Sequence, residues 1–336
     1  MKIGIVTLPL INNYGGVLQN YALQRVLLGF GHQVVTFDCD RKKTPLWMYL
    51  CSWLKSFLFL FIPGKRRPFA KISFAKERHP IFESFIEKNI YKTRKIPSFS
   101  CLKNKIDDFD VLVVGSDQIW RPKYAPNIED AFLAFVKNDH VRRICYAVSF
   151  GVDRWEFSPR QTEKCGFLAK KFDAISVREK TGIDLCRNYL GVDSTCVLDP
   201  TLLLKKTDYE MLCDDVPVEK DLFLAAYVLG ETDEIKILCD NIAKEKKLKV
   251  RWFSADKMAS ISIPEWISMF RDASYVVTDS FHGTVFSIIF DKEFKCVFNE
   301  SRGSARFESL LELYNTGKLD EMRDFSLNWL KNALES

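Results

Sequence analysis

Five polar clusters in this chain carry residue types that could bind and activate an anionic substrate. Each follows or ends a short apolar run, at residues 12–16, 115–120, 149–151, 178–179 and 278–283. In open parallel α/β sheets, ligands bind in the crevice beyond the carboxyl ends of the strands. We therefore expect the clusters to converge on a cleft.

His282 is the strongest candidate for acid–base chemistry. It follows the apolar run 275–278 and precedes Gly283 and the apolar run 285–290, which predicts a place at a helix N-terminus. Free backbone N–H groups and the helix dipole favour anions there, and histidine exchanges a proton near neutral pH. The alternative is a histidine that only caps a turn. Asp279 is expected to cap or orient the same loop.

An aspartate and three arginines are the next candidates. Asp117 lies in a Gly-Ser-Asp turn, where it could bond to local backbone, bind an acceptor or act as a base. Arg178 follows an apolar run and is costly to bury without an anion, which could be Glu179 or a ligand. Arg302 and Arg306 precede a predicted amphipathic helix, and taken alone two loop arginines usually face solvent.

Composition narrows the class of protein. The chain has 336 residues, 47% of them apolar, and a net charge of +5, which is too small for a general nucleic-acid binder. Its ten cysteines contain no Cys-x-x-Cys spacing, so we expect reduced thiols and neither a structural metal nor a metal in the site. Residues 1–8 read as a first strand rather than a secretion signal, which favours a cytoplasmic protein.

The elements that must position these residues alternate between strands and helices. This pattern predicts an α/β protein with two Rossmann-like, doubly wound parallel domains. A helix is expected at 16–30. The strand-like runs are 3–8, 34–38, 111–115, 144–150, 174–177, 196–198, 222–229, 250–253, 275–278 and 296–298.

The polar stretch 206–221 is the predicted linker between an N-terminal domain, 1–205, and a C-terminal domain, 222–336. A hydrophobic insertion, 46–63, interrupts the first domain. Its segment from Leu46 to Ile62 has 14 apolar residues of 17 and basic flanks. We predict a helix lying on an anionic membrane surface. A helix buried against the body or in a dimer seam, and a transmembrane span, remain as alternatives.

Together these motifs resemble the polysaccharide pyruvyl transferase family. The matching segments are KIGI at 2–5, NYGGVLQ at 13–19, YALQ at 21–24, GSDQIW at 115–120, SVRE at 176–179, LDPTLL at 198–203 and TDSFHG at 278–283. The resemblance implies a fold similar to GT-B glycosyltransferases, with the active site in the interdomain cleft. It also implies transfer of a pyruvyl group from phosphoenolpyruvate to two hydroxyls of one sugar, forming a cyclic ketal in capsular or other surface polysaccharide.

The resemblance also implies roles for individual residues on the donor side. His282 corresponds to the acid that protonates phosphoenolpyruvate, and Arg178 to an anchor for its phosphate or carboxylate. Some members carry arginine where this chain has Ser280, and Arg302 with Arg306 would replace that charge. The phosphoenolpyruvate-binding set is therefore Arg178, Ser280, Gly283, Arg302 and Arg306.

The N-terminal half is implied to face the acceptor, through Asn13, Tyr14, Gly15, Asp117 and Gln118. Asp117 is also the candidate base. No resident cofactor is expected, because phosphoenolpyruvate is a co-substrate. The expected acceptor is a sugar on a lipid carrier, which would place a cytoplasmic enzyme peripherally on the inner face of the cell membrane.

Two other functions fit parts of the pattern. A GT-B-type glycosyltransferase using a nucleotide sugar would share the fold and an anion-binding helix N-terminus. A non-catalytic assembly protein of the polysaccharide machinery would use the hydrophobic segment as a protein interface.

Overall fold

The computed structural model contains two fully parallel β-sheets, as the sequence predicts. It describes residues 1–40, 53–54, 56–57, 78–103, 105–125, 127–138, 140–253, 261–298 and 305–335. The first sheet has six strands in the order β2-β1-β3-β4-β5-β6, and the second has four in the order β10-β9-β7-β8. The strands are β1 (Lys2–Val6), β2 (Gln33–Thr36), β3 (Val111–Asp117), β4 (Arg142–Val148), β5 (Ala174–Val177), β6 (Thr195–Cys196), β7 (Phe223–Tyr227), β8 (Lys249–Phe253), β9 (Tyr275–Thr278) and β10 (Phe294–Cys296). Each of the ten expected strands is present.

Helices connect the strands in both halves. They are α1 (Tyr14–Gly29), α2 (Pro80–Asn89), α3 (Ile128–Ala131), α4 (Pro159–Ala169), α5 (Lys180–Leu185), α6 (Lys206–Glu210), α7 (Asp233–Lys246), α8 (Ile263–Asp272), α9 (Phe281–Ile289), α10 (Ala305–Asn315) and α11 (Leu319–Glu335). Helix α1 begins two residues earlier than expected because the side chain of Asn13 accepts a hydrogen bond from the Gly16 N–H and caps it.

The central strands are apolar because they are covered on both faces. β3 is buried along its whole length between β1 and β4, with Ile3 opposite Val111 and Val113 opposite Ile144. Such continuous burial is typical of parallel sheets. It fixes the carboxyl ends of β1, β3 and β4 at one edge, where the polar clusters begin.

The long helix α11 lies on the first sheet, although it follows the second sheet in the chain. Arg142 of β4 donates hydrogen bonds to the carbonyls of Ala333 and Leu334, and the Leu198 N–H donates to Ser326 Oγ. Residues 206–221 include α6, and the strands of the two sheets lie on either side of them. The division into 1–205 and 222–336 stays a prediction.

The segment from Leu46 to Ile62 falls almost entirely outside the described residues. Four of its residues, 53–54 and 56–57, are helical. Ser56 is buried there, while Leu54 is 64% exposed and Phe57 51% exposed. Within the described part of the chain, no helix combines the length and hydropathy needed to cross a membrane.

Candidate active site

A cavity of about 540 Å³ lies where the two sheets face each other. The first sheet supplies Thr7, after β1, and Asp117, which ends β3. The second supplies Asp279 and His282 after β9, and α10 supplies Arg306. The clusters that follow β1, β3 and β9 therefore meet in one cavity, whose volume is typical of a small-molecule site.

His282 lies at the start of α9 and reaches the cavity wall. Ser280 caps this helix by accepting a hydrogen bond from the Gly283 N–H. The imidazole is mostly buried, and its Nε2 lies 3.7 Å from Oδ2 of Asp199. A Cβ on Gly15 would come within 2.1 Å of His282 Nδ1, so only glycine at that position permits the contact.

Asp199 is a site residue to which sequence reasoning gave no role. Its Oδ1 accepts hydrogen bonds from the backbone N–H and the hydroxyl of Thr201, and its Oδ2 accepts one from Arg178 at 2.8 Å. Burial raises the pKa of this carboxyl, but His282, Arg178 and Thr201 stabilise the carboxylate by more, so its pKa lies well below the usual range. Its position in the Leu-Asp-Pro-Thr segment, three residues after the end of β6, was the available signal.

Arg178 is held between two carboxylates rather than by its neighbour Glu179. Its Nη1 pairs with Asp199, its Nη2 lies 3.3 Å from Asp117 Oδ1, and its guanidinium lies over the Phe281 ring. Burial lowers the pKa of Arg178, but the surrounding carboxylates more than offset this and the net shift is upward. Glu179 instead accepts hydrogen bonds from Ser149 Oγ and the Phe150 N–H.

Arg306 lies in the first turn of α10 rather than on the loop expected before it, and it is buried rather than facing solvent. It lines the cavity with its guanidinium 5.6 Å from the Phe281 ring centre, beside Arg178. The pKa of Arg306 is lowered to about 10, first by burial and then by the like charge of Arg178. An anion bound here would stabilise both charges. Arg302, its predicted companion, lies outside the described residues.

The remaining donor-side candidates shape the start of α9. Ser280 lines the cavity but uses its Oγ as the helix cap. Gly283 is buried, and a Cβ there would lie 2.2 Å from Thr278 Oγ1. Asp279 does not cap α9, whose N-cap is Ser280; its carboxylate accepts hydrogen bonds from the N–H groups of Leu229 and Gly230, just after β7.

The acceptor-side candidates divide into two groups. Asn13, Gly15, Asp117 and Gln118 lie in the cavity wall. Tyr14 does not; its hydroxyl donates to the Ile261 carbonyl and its ring stacks on Trp266 at 5.3 Å. Burial raises the pKa of Tyr14 to about 12. This placement favours a role in joining α1 to α8.

Gln19 is a second residue that sequence reasoning left without a role. It lines the cavity, donates a hydrogen bond to Thr7 Oγ1 and accepts one from the Ser116 N–H. It thereby ties α1 to the ends of β1 and β3. Its place in the segment 13–19, one turn after Gly15 and Gly16, could have indicated this.

The sequence match decides the family. A family model described as polysaccharide pyruvyl transferase matches residues 13–297. The chain belongs to this family. The match covers the loops that carry Asp117, Arg178, Asp199 and His282, and ends before Arg306. No curated protein matches the chain.

Several solved structures are similar to the chain at low identity. A putative UDP-N-acetylglucosamine 2-epimerase from Listeria monocytogenes has a TM-score of 0.45 and 10% identity, over 97% of this chain and 93% of that one. A glycosyltransferase from Rickettsia africae has a TM-score of 0.44 and 9% identity, over 99% and 93%. An E. coli heptosyltransferase has a TM-score of 0.37 and 10% identity, over 90% and 92%. Likeness of this degree says nothing about the reaction.

Proposed function

We propose that this member of the pyruvyl transferase family moves the pyruvyl group of phosphoenolpyruvate onto two hydroxyls of one sugar, forming a cyclic ketal. The observation that carries the proposal is the cavity wall around His282. A buried histidine there faces the same carboxylate, Asp199, as buried Arg178, and buried Arg306 lines the same cavity. Phosphoenolpyruvate needs both a proton donor and cationic groups for its phosphate and carboxylate.

The chemistry follows from the groups present. His282 gives a proton to the methylene carbon, which makes the central carbon electrophilic. A sugar hydroxyl attacks that carbon, phosphate leaves, and the second hydroxyl closes the ring. Arg306 is the group best placed to hold the anion, because its planar fork can bind phosphate or carboxylate with two hydrogen bonds. Asp117, in the same wall, is the candidate base.

The sugar acceptor occupies the side of the cavity lined by Asn13, Gly15 and Gln118 in this proposal. Surface polysaccharide repeats are assembled on lipid carriers at the cytoplasmic membrane face, so we place the enzyme there as a peripheral protein. The exposed Leu54 and Phe57 support an apolar contact through the segment from Leu46 to Ile62. The reaction needs no resident cofactor or metal, and we expect no nucleic-acid partner.

Phosphate release from phosphoenolpyruvate tests the reaction. Purified protein and its His282→Ala variant are mixed with galactose-, glucose- and mannose-terminated lipid-linked acceptors. Acceptor-dependent release that the variant lacks supports the proposal, and mass spectrometry should show a product heavier than the acceptor by one ketal-linked pyruvate. A glycosyltransferase would be favoured if no acceptor gave phosphate release and if a nucleotide sugar, but not phosphoenolpyruvate, raised the melting temperature.

The membrane contact has its own test. Deletion of residues 47–61 should leave a folded protein with weaker sedimentation on anionic phosphatidylglycerol vesicles than the full chain. Equal sedimentation of a folded deletion protein would rule the membrane role out.

A further inference from the structure

Asp199 lies behind the cavity wall, where one of its oxygens faces two cationic side chains. The carboxylate is wholly buried and does not line the cavity. Thr201 fixes Oδ1 with two hydrogen bonds, at 3.0 Å from its N–H and 2.6 Å from its hydroxyl. This leaves Oδ2 directed at Arg178, 2.8 Å away, and at His282, 3.7 Å away. Asp199 is too deep to touch a substrate, so any role in the reaction must pass through these neighbours.

The two nitrogens of His282 have different surroundings. Nε2 is fully buried and, within the described part of the chain, makes no hydrogen bond. Asp199 Oδ2 lies 3.7 Å from it, which is longer than a hydrogen bond. Nδ1 lies instead beside Gly15, which is itself part of the cavity wall. A buried N–H without an acceptor is costly, so a small movement of the His282 ring that brings Nε2 within hydrogen-bond distance of Asp199 would be stabilising.

We infer that Asp199 is the positioning residue of His282. It engages the proton on Nε2, fixes the plane of the ring and leaves Nδ1 as the nitrogen that delivers a proton to the substrate. This inference rests on the proposed pyruvyl transfer and assigns its acid to a single atom. Histidines in catalytic sites commonly have their tautomer set by the hydrogen bond at the other nitrogen.

The proton transfer can then be written with all atoms balanced. The reacting form of His282 is protonated on both nitrogens; the proton on Nδ1 leaves and bonds to the methylene carbon through the electron pair of the carbon–carbon double bond, while Nε2 keeps its proton. A hydroxyl oxygen of the sugar bonds to the central carbon and gives its proton to Asp117, the candidate base, which releases it to solvent as His282 takes a proton back. The bond from that carbon to the phosphate oxygen breaks, and the second hydroxyl closes the ketal. The second hydroxyl's proton ends on the released phosphate.

The charges around Asp199 support the pairing. Arg178, at the end of β5, pairs with Asp199 through Nη1. Its Nη2 pairs with Asp117, at the end of β3. The buried hydroxyls of Tyr146 and Tyr209 lie nearby, and the negative charge of Asp199 contributes to the raised pKa of both. The depressed pKa of Asp199 keeps it ionised at every pH at which the enzyme would work. The carboxylate is thus a permanent acceptor for Nε2–H.

Nitrogen NMR of the whole protein tests the assignment without a substrate. The chain has four histidines, so a sample labelled with ¹⁵N-histidine gives few signals. The signal that disappears in His282→Gln belongs to His282. We expect neutral His282 to carry its proton on Nε2 and to show an unprotonated Nδ1. Asp199→Asn should shift the signal towards a mixture of tautomers. A neutral His282 with its proton on Nδ1, or a signal unchanged in Asp199→Asn, would overturn the inference.

Kinetics give the second test and separate this inference from the proposed reaction. Asp199→Asn should lower kcat by about 10²-fold, the range of general acid catalysis, and should cause no further loss in the His282→Gln background. Thr201→Val should cause a smaller loss and Thr201→Ser almost none, because serine keeps the hydroxyl donor. Additive losses would contradict a role through His282. If phosphoenolpyruvate is not a substrate at all, the proposed function fails while the tautomer measurement still decides the role of Asp199.

Discussion

At the scale of single residues, the site depends on how closely groups from the two sheets approach. Gly15 belongs to α1, on the first sheet, and its missing side chain leaves room for the imidazole of His282, on the second. The absence of a Cβ here thus serves the candidate active site rather than the helix. Glycine lowers helix stability relative to alanine, by about 1 kcal/mol in a helix interior.

Gly15→Ala should therefore lower activity and also destabilise the fold by about 1–3 kcal/mol, because the new methyl group meets the buried ring of His282. The new Cβ displaces the His282 ring, and a displacement of that size near the reacting atoms can cost about 10²-fold in rate. The measurement is phosphate release beside a thermal melt. Gly29→Ala is the matched control, because it lies on the same helix with open space around it. Full activity in Gly15→Ala would show that His282 tolerates a different position.

Arg306 gives a second prediction at this scale. Arg306→Ala should raise the KM for phosphoenolpyruvate by about 10- to 100-fold, the value of one or two charged hydrogen bonds, with a smaller effect on the acceptor KM. Arg306→Lys should recover only part of this, since lysine lacks the planar fork. Glu308→Gln, at an exposed position on the same helix, is the control. An unchanged phosphoenolpyruvate KM in Arg306→Ala would place the donor elsewhere.

Sequence reasoning reached His282, Arg178 and Asp117 because each follows a recognisable strand. It did not reach the pairing among them. Arg178 meets Asp199, 21 positions away, and Asp117, 61 positions away. These residues meet only because of the order of β3, β5 and β6 in the sheet. No local sequence pattern predicts that order. The burial of Arg306 was missed for the same reason, because the aromatic rings around it are set by tertiary packing.

At the scale of elements, α9 carries the catalytic candidate and is packed tightly at its first turn. Gly283 faces Thr278 Oγ1 at the end of β9 and the Tyr227 ring at the end of β7. The helix can start this close to the sheet only because position 283 has no side chain. The same close approach directs the first turn, and His282 with it, towards the cavity.

Gly283→Ala should destabilise the fold by about 1–3 kcal/mol, the usual cost of overpacking. Urea unfolding measures the change. Thr278→Ala removes the oxygen that the new methyl group meets, so the double variant should lose less than the sum of the single losses. Strict additivity, or a Gly283→Ala protein as stable as the wild type, would show that the contact is not tight.

The elements themselves were largely readable from sequence. All ten strands and α1 follow from short apolar runs separated by polar turns, which is the clearest signal a parallel α/β chain gives. The expected ends shifted by a few residues where a side-chain cap decides the boundary, as Asn13 does for α1. The position of α11 was not readable, because its apolar face indicates burial without indicating the sheet it covers.

At the scale of the whole molecule, α11 connects the two halves a second time. Its Ser326 accepts a hydrogen bond from the buried Leu198 N–H, one residue before Asp199, and Trp329 packs on Tyr146 of β4. The support of Asp199 thus depends on a helix that comes from the far end of the chain.

Ser326→Ala should lower the free energy of unfolding by about 1–3 kcal/mol, because it leaves a buried N–H without its acceptor. Denaturant unfolding measures the loss, and Asn332→Ala, exposed on the same helix, provides the comparison. If both variants unfold at the same denaturant concentration, the hydrogen bond contributes nothing to stability.

The position of α11 also constrains how the protein is made. A chain emerges from the ribosome in order, and domains generally fold as they emerge. The six strands of the first sheet are synthesised before the second sheet. Helix α11, which packs on Tyr146 and accepts the hydrogen bond of the Leu198 N–H, is synthesised after the second sheet. Until α11 has been synthesised, the first half of the chain therefore exposes apolar surface that α11 later covers. We expect a chaperone to bind this intermediate during biogenesis.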